Sequence, residues 1–179
     1  MLYSDNVFDK SPSDKNMNKI SIREACINDL DRCYEIESTA YAGDEAASRE
    51  KIGKRIEVYP EGFLVLEFEG EVAGLINSGA TNHVQLSDEA FKELVGHDPN
   101  GKKIVVMSVA VHPDFQRKGL AGKLIIEFIG KMKAMAKSEI YLICQTGLID
   151  MYAGYGFEYI GVSDSEHGGL DWHEMSLFL

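Results

Sequence analysis

The sequence is short of the residues that mark disulfide-bonded, metal-binding or membrane-spanning proteins. It contains three cysteines, an odd number without the spacing of metal ligands: Cys26, Cys33 and Cys144. We therefore expect reduced thiols in the protein core and no metal site. No apolar run approaches the roughly 20 residues of a membrane span, and the N-terminus has no apolar signal-peptide segment. These absences predict a cytoplasmic protein without a membrane partner.

Basic residues are also scarce, with 18 lysines and arginines against 29 aspartates and glutamates, for a net charge of −11. Such a surface repels nucleic acid and favours a cationic partner such as an amine. The length of 179 residues and the hydrophobic content of 45% predict one domain with a sizeable core. Residues 1–18 are polar and lack periodicity, so we expect a flexible tail before a domain over residues 19–179, with Met17 as an alternative start to Met1.

Two common nucleotide-binding fingerprints, G-x-G-x-x-G after a strand and G-x-x-x-x-G-K-[ST], are missing from the most informative stretch, residues 104–123. That stretch opens with an apolar, β-rich segment over Ile104–Val111. Pro113 stops the segment because proline has no N–H for a strand ladder. A polar turn and an amphipathic stripe from Leu124 onward follow. The sequence therefore predicts a strand, a turn and a helix whose first residues are small.

The small residues at the start of this helix suit a phosphate ligand. The first N–H groups of a helix have no partner within it, and the helix dipole adds partial positive charge there. Missing side-chain bulk at Gly119, Ala121 and Gly122 leaves the backbone open to close approach. Full positive charges come from three neighbouring side chains: Arg117, Lys118 and Lys123. We therefore expect a pyrophosphate at this point.

Hydrophobic periodicity divides the rest of the chain into strands and helices. Strands are predicted over residues 20–24, 62–69, 71–77, 140–144, 157–162 and 172–177. Helices are predicted over residues 30–36, 46–58, 88–95, 148–155 and from 120 to about 137. The pattern indicates no internal repeat and no second domain.

The pattern Q-x-x-G-x-A fits residues 116–121, read as Gln116-Arg117-Lys118-Gly119-Leu120-Ala121. Together with the preceding Val109-Ala110-Val111-His112-Pro113, it resembles the acyl-CoA loop of the GNAT acetyltransferase superfamily. The resemblance implies an α/β fold, a mixed and mostly antiparallel sheet flanked by helices. Its central parallel pair, residues 104–111 and 139–145, would splay apart at the C-terminal ends. The resemblance also implies acetyl-CoA as the co-substrate, with its thioester in the cleft between those strands.

Other segments look like those of arylalkylamine (serotonin) N-acetyltransferases, namely residues 34–41, 63–74, 96–101, 147–157 and 174–175. The resemblance implies that three strand residues pair with the pantetheine arm through their backbone: Val109, Ala110 and Val111. It implies that the Val109 N–H polarises the thioester carbonyl. Tyr152 is implied as the general acid that protonates the departing CoA thiolate. The pyrophosphate cradle is implied for Arg117, Lys118, Gly119, Leu120, Ala121 and Gly122.

The two histidines that relay the amine proton in the serotonin enzymes are absent, because Val105 and Met107 stand at their positions. An alkylammonium has a pKa of about 10, so a route for its proton is still required. The candidates are water held by Ser108 or by strand carbonyls, and a carboxylate from Glu35 or Glu37.

The whole sequence predicts an acetyl-CoA-dependent N-acetyltransferase. A small-molecule primary amine, arylalkylamine-like, would attack the thioester directly in a ternary complex. A protein N-terminus or lysine is the alternative acceptor, and an acyl-CoA-binding sensor without turnover is the alternative from another class. Residues 81–103 decide between the acceptors, because an insertion that closes over the site favours a small molecule. A homodimer is a further expectation, since dimers are common in the superfamily.

Overall fold

The computed structural model describes residues 19–179, and the tail predicted over residues 1–18 lies outside them. The strands are β1 (Ile20–Glu24), β2 (Phe63–Phe68), β3 (Glu71–Thr81), β4 (Lys103–Val111), β5 (Glu139–Cys144), β6 (Glu158–Val162) and β7 (His173–Phe178). The helices are α1 (Leu30–Ala40), α2 (Arg49–Val58), α3 (Leu120–Ala134) and α4 (Ile149–Gly154), joined in places by short 3-10 turns. Among residues 19–179, every helix is too short or too polar to cross a bilayer.

The seven strands form one sheet with the order β1-β2-β3-β4-β5-β7-β6. Its neighbours pair antiparallel except β4 and β5, which run parallel and are connected by α3. A parallel pair needs such a crossover because a tight turn reverses the direction of the chain and so joins only antiparallel strands. The predicted fold class, a mixed and mostly antiparallel sheet with a central parallel pair flanked by helices, is therefore confirmed.

Two apolar clusters hold the helices against the sheet. On α3, Leu124, Phe128 and Met132 follow one another at a spacing of four residues, and none is more than 1% exposed. Ile36 of α1 and Ile52 of α2 are fully buried in the second cluster. Burial of each such side chain stabilises the fold by about 1.5–3 kcal/mol. The central strands are therefore fixed between packed layers, and the site is built on them.

Several element boundaries differ from the prediction. The helix predicted from residue 46 begins at Arg49, because Ser48 Oγ accepts the Lys51 N–H at 3.3 Å and caps it. The segment predicted as a helix over residues 88–95 is a 3-10 turn that ends at Leu94, which adopts a left-handed backbone (φ +62°). The third strand continues beyond residue 77 to Thr81, where its final residue is still paired with β4.

Candidate active site

The parallel strands β4 and β5 separate at the centre of the sheet. They pair only along Lys103–Val105 and Glu139–Tyr141, although β4 continues to Val111 and β5 to Cys144. On its other edge β4 stays paired with β3. The edge of β4 that faces β5 is therefore open from Val106 onward. A strand edge without a neighbouring strand presents its N–H and C=O groups to side chains or to a ligand.

A β-bulge bends β4 where the gap opens. Asn77 pairs with Ser108 and Ser78 pairs with Val106, which leaves Met107 as the extra residue on β4. A bulge increases the local twist and re-aims neighbouring side chains. Met107 lines the cleft that extends from the gap.

Successive residues of a strand turn their backbone N–H and C=O groups to opposite edges, and this alternation decides which groups of β4 reach the gap. The His112 N–H donates to the Ala73 carbonyl of β3 at 2.8 Å, so Ala110, two residues earlier, also turns its N–H and C=O toward β3. Val109 and Val111 turn theirs toward the gap, where the Val111 carbonyl accepts from Gln116 Nε2 at 3.0 Å. Two of the three residues predicted to pair with pantetheine through their backbone therefore face the gap, and Ala110 lies between them.

The Tyr41 hydroxyl occupies the open edge at Val109. It donates to the Val109 carbonyl at 2.6 Å and accepts from the Val109 N–H at 3.2 Å. Burial, and next the charge of Glu37, raises the pKa of Tyr41 to about 12, so the hydroxyl stays protonated at neutral pH. Sequence reasoning missed Tyr41 as a site residue, because the resemblance over residues 34–41 assigns it no role and its contact with Val109 joins distant segments.

A cleft of about 960 Å³, counting the space open to solvent, adjoins the gap. Five consecutive residues of β4 line it: Val105, Val106, Met107, Ser108 and Val109. Its charged lining residues are Glu37, Asp44, Glu45, Asp88, Lys51, Arg55 and Lys92. Its larger apolar and aromatic lining residues are Leu86, Phe91, Leu142, Ile143, Tyr152 and Trp172. The cleft therefore combines apolar side chains with four carboxylates and three basic side chains.

Glu37 is a buried carboxylate in the cleft wall, only 2% exposed. Its Oε1 accepts the Ala47 N–H at 3.0 Å, and Ser108 Oγ donates to its Oε2. Glu35, by contrast, is exposed and pairs with Arg32, with 2.9 Å between Arg32 Nη1 and Glu35 Oε2. Of the two carboxylates predicted as bases, the structure brings Glu37 to the gap and leaves Glu35 outside the cleft.

Tyr152, on α4, lines the same cleft. Its side chain is 6% exposed, and its ring packs edge-on against Phe157 with 5.7 Å between the ring centroids. Burial, and next the ionisable groups of Tyr41 and Cys144, raises the pKa of Tyr152 above its ordinary range. The phenol is therefore protonated at neutral pH.

The turn before α3 contains two residues with a left-handed backbone, Arg117 (φ +63°) and Gly119 (φ +74°). Gly119 is the N-cap of α3 and has no capping side chain, so the first N–H groups of the helix are left open: those of Leu120, Ala121 and Gly122. Arg117 and Lys118 are exposed beside them. The residues predicted as the pyrophosphate cradle therefore lie in one turn with free donors and positive charge.

Gly122 and Gly119 lack a side chain for different reasons. A Cβ on Gly122 would lie 2.1 Å from the Tyr155 hydroxyl, so the inner face of Gly122 is already filled. Gly119 has nothing within 4 Å of such a Cβ, and its left-handed backbone is what favours glycine there. The close phosphate approach predicted from small residues therefore has clear space at Gly119.

Three segments meet at His167, which lines the cleft. His167 Nε2 donates to the Glu45 carbonyl at 3.0 Å, and its Nδ1 lies 3.4 Å from Glu89 Oε2. Trp172 Nε1 donates to the His167 carbonyl at 2.7 Å. The loop before β7, the turn after α1 and the 81–103 insertion are therefore connected over the cleft. No local sequence pattern indicates this connection, because its partners lie far apart in the chain.

Arg55, on α2, is a second buried charge in the cleft wall. Its Nη1 donates to Asn77 Oδ1 at 3.1 Å, and its Nε and Nη2 donate to the Lys92 carbonyl at 3.2 and 3.0 Å. Burial lowers the pKa of Arg55, and the charge of Glu37 opposes that change. Arg55 therefore fixes the 81–103 insertion to α2 and faces the Glu37 charge.

The two buried cysteines are poor nucleophiles. Cys33 and Cys144 are buried as predicted, but Cys26 is exposed, so the expectation of a core position is wrong for Cys26. Burial raises the pKa of the Cys33 thiol to about 12 and that of Cys144 to about 11. Neither thiol forms an appreciable thiolate at neutral pH.

Comparison of the sequence with models of known protein families shows to which family the chain belongs. The model described as the acetyltransferase (GNAT) family matches residues 24–157, well over half of the chain. A relative, the "Probable hydrolase YhcX" of Bacillus subtilis, is 27% identical over 113 residues, which are 59% of this chain and 22% of the relative. The chain therefore spans about a fifth of the length of that relative.

Several solved structures share the fold. The loading GNATL domain of CurA from Lyngbya majuscula superposes with a TM-score of 0.78 at 17% identity, covering 90% of this chain and 98% of that one. The yncA protein of Salmonella typhimurium, solved with its cofactor acetyl-CoA, gives a TM-score of 0.66 at 22% identity, covering 90% and 95%. The ribosomal-protein-S18-alanine N-acetyltransferase of Escherichia coli gives 0.63 at 19% identity, covering 89% and 93%. At these identities the similarity shows the fold alone.

Proposed function

Because this chain belongs to the GNAT acetyltransferase family, we propose that it transfers an acetyl group from acetyl-CoA to the primary amine of a small molecule. The observation that carries the proposal is the gap between β4 and β5, since it joins an open strand edge to the Glu37 carboxylate in one cleft. An extended pantetheine arm can pair with such an edge as an added strand does. The amine attacks the thioester directly in a ternary complex.

The proposed CoA site follows β4 into α3. Val109 and Val111 offer backbone groups on the gap side, and Ala110 spaces them. The pyrophosphate lies on the turn formed by Arg117, Lys118, Gly119, Leu120, Ala121 and Gly122. Leu120 contributes its backbone, because its side chain is buried in the core. The exposed positive charges of this turn offset the repulsion between CoA and a chain of net charge −11.

The proposed chemistry moves one proton away from the amine and one onto the thiolate. As the amine nitrogen bonds to the carbonyl carbon, the C–O electrons move to the oxygen, and the Val109 N–H stabilises that charge. Ser108 Oγ takes the amine proton while its own proton passes to Glu37. The C–S bond then breaks and Tyr152 gives its proton to the sulfur. Solvent afterwards reprotonates Tyr152 and takes the proton from Glu37.

The raised pKa of Tyr152 sets when its proton moves. A free thiolate, with an ordinary pKa of about 8.5, cannot readily take a proton from so weak an acid. The proton therefore transfers as the C–S bond breaks, when the sulfur is close to the phenol. The same raised pKa keeps Tyr152 protonated and ready to donate.

The covering segments support a small acceptor over a protein chain. A peptide acceptor, the alternative, needs an open groove, whereas the Glu45, Glu89 and His167 contacts connect three segments over the cleft. Phe91 and Trp172 provide apolar lining next to the carboxylates. A cationic amine on an aromatic alkyl chain, as in the arylalkylamine group, suits both features.

The experiment is to measure CoA thiol release from acetyl-CoA with phenethylamine, tryptamine, spermidine, kanamycin, an alanine-starting peptide and a lysine peptide, with the acetylated product identified by mass spectrometry. We expect the highest kcat/KM with an arylalkylamine, at least about tenfold above either peptide, because the cleft is covered. A preference for a peptide would contradict the small acceptor. Binding of acetyl-CoA without turnover of any amine would contradict the enzyme and support a sensor.

A further inference from the structure

The Tyr41 hydroxyl occupies the place on β4 where the proposed reaction holds the thioester oxygen. Both the N–H and the C=O of Val109 point into the gap, and both are hydrogen-bonded to this one hydroxyl, at 3.2 and 2.6 Å. The Val109 N–H is therefore not free in the absence of acyl-CoA. An acyl oxygen that approaches this N–H must come within reach of the Tyr41 hydroxyl as well.

The backbone around Tyr41 keeps the hydroxyl at this point. Tyr41 is the C-cap of α1, and its N–H donates to the Glu37 carbonyl at 3.0 Å. Its ring packs against the apolar cluster under α1 and α2. The phenol can therefore turn its O–H bond without the side chain leaving the cleft.

The hydroxyl is a neutral donor. Its burial and the nearby Glu37 charge raise the pKa of Tyr41 to about 12, which keeps the proton on oxygen during turnover. Phenol donors fixed in a site with little water stabilise a developing oxyanion more than water does, because they need no reorganisation.

We propose that Tyr41 is a catalytic residue, the second donor of a two-donor oxyanion hole completed by the Val109 N–H. The inference rests on the proposed function. When acyl-CoA binds, the thioester oxygen replaces the Tyr41 hydroxyl as the acceptor of the Val109 N–H. The Tyr41 O–H turns from the Val109 carbonyl to the thioester oxygen.

The electron balance of the reaction is unchanged by this donor. The amine nitrogen bonds to the carbonyl carbon and the C–O pair moves to the oxygen, where Tyr41 and Val109 both donate. The pair returns as the C–S bond breaks, and the thiolate takes its proton from Tyr152. Tyr41 keeps its own proton throughout, and its hydroxyl returns to Val109 when the product leaves.

The kinetic test compares Tyr41→Phe with wild type, using acetyl-CoA and the panel amine that wild type acetylates fastest. Loss of one oxyanion donor lowers kcat by about 10²–10³-fold. We expect this loss with a KM for acetyl-CoA within about threefold of wild type. With the acetyl-CoA analogue that carries sulfur in place of the carbonyl oxygen, the loss shrinks at least about tenfold, because sulfur is a weak hydrogen-bond acceptor.

A matched control is Tyr34→Phe, on the helix that Tyr41 caps and 39% exposed, which should leave both rates unchanged. An equal loss of kcat on acetyl-CoA and on the sulfur analogue would mean that Tyr41 is merely structural. A kcat of Tyr41→Phe within threefold of wild type would overturn the proposal. In that case turnover by the wild type would still uphold the proposed function. If Tyr41→Phe shows no cooperative unfolding, and so is not folded, Tyr41→Met replaces it as the test variant, because methionine keeps a large side chain without a hydroxyl donor.

A crystal structure of wild type with acetyl-CoA tests the geometry without any acceptor. The expected acyl oxygen lies about 2.7–3.1 Å from both Val109 N and the Tyr41 hydroxyl. An acyl oxygen elsewhere, with the Tyr41 hydroxyl still bonded to Val109 N, would overturn the proposal even where wild type turns over.

Discussion

The Ser108 hydroxyl donates a hydrogen bond to the Glu37 carboxylate, although the two residues lie 71 positions apart in the chain. The second carboxylate oxygen accepts the Ala47 N–H at 3.0 Å, which fixes the orientation of the pair. A strand hydroxyl and a helix carboxylate thus meet at the gap, on the strand that also carries Val105 and Met107. In the proposed reaction, this contact is the route by which the amine proton leaves.

Glu37→Gln tests that route. Gln keeps the size and the hydrogen bond to Ser108 but is not a base, so we expect kcat to fall by about 10²–10⁴-fold, the usual contribution of positioned proton transfer. The measurement is thiol release at saturating acetyl-CoA. Glu35→Gln is the matched control, because Glu35 is exposed and lies outside the cleft; equal losses in the two variants would argue against the assignment.

Much of the fold was predictable because its signals are local. The strand over Ile104–Val111, its stop at Pro113 and the small residues from Gly119 are consecutive, so periodicity and composition alone locate them. The position of Tyr152 also follows, since α4 is a short helix between recognisable strands.

The contacts that complete the site were not predictable, because they join distant segments. Tyr41 meets Val109 across 68 positions, and His167 meets the Glu45 carbonyl across 122. Hydrophobic periodicity reports which face of an element is buried and carries no information on such pairs. The choice between Glu35 and Glu37 shows the same limit, since both are acidic positions on one helix and only the packing of α1 separates them.

His167→Ala tests the cover over the acceptor. Loss of the hydrogen bond to the Glu45 carbonyl, worth about 0.5–1.5 kcal/mol, loosens the three connected segments. We expect the KM for the amine to rise about three- to tenfold, with the KM for acetyl-CoA unchanged. His83→Ala, at an exposed position of the 81–103 insertion, should change neither constant; a rise in the acetyl-CoA KM alone would show that the cover is elsewhere.

Gly122→Ala tests the packing behind the proposed pyrophosphate turn. The added Cβ would meet the Tyr155 hydroxyl at 2.1 Å, and such overpacking costs about 1–3 kcal/mol. Adding Tyr155→Phe should restore part of the lost free energy of unfolding, measured by urea denaturation. Gly130→Ala, on the same helix with nothing within 4 Å, should instead stabilise by about 0.5–1 kcal/mol. If the changes in the free energy of unfolding caused by Gly122→Ala and Tyr155→Phe simply add in the double variant, the contact between the two residues is refuted.

Asp29 makes stability depend on acid pH. The Arg23 guanidinium, at 2.7 Å, lowers the pKa of Asp29 from 3.8 to about 2. A lowered folded pKa adds stability above about pH 4, and that stability is lost as the pH falls toward 2. Asp29→Asn should therefore be less stable at pH 7 and converge with wild type near pH 2, by urea denaturation across pH. A difference between Asp29→Asn and wild type that stays constant from pH 7 to pH 2 would contradict the linkage.

The most direct test of acetyl transfer in this cleft is the rate of CoA thiol release by Tyr152→Phe, measured with acetyl-CoA and the best amine of the panel. Tyr152 lines the cleft as a buried phenol, so its loss should lower kcat by about 10²–10⁴-fold. Tyr159→Phe, on the exposed edge strand β6, should stay within about threefold of wild type. Undiminished thiol release by Tyr152→Phe would contradict the account, because the departing thiolate would then take its proton elsewhere.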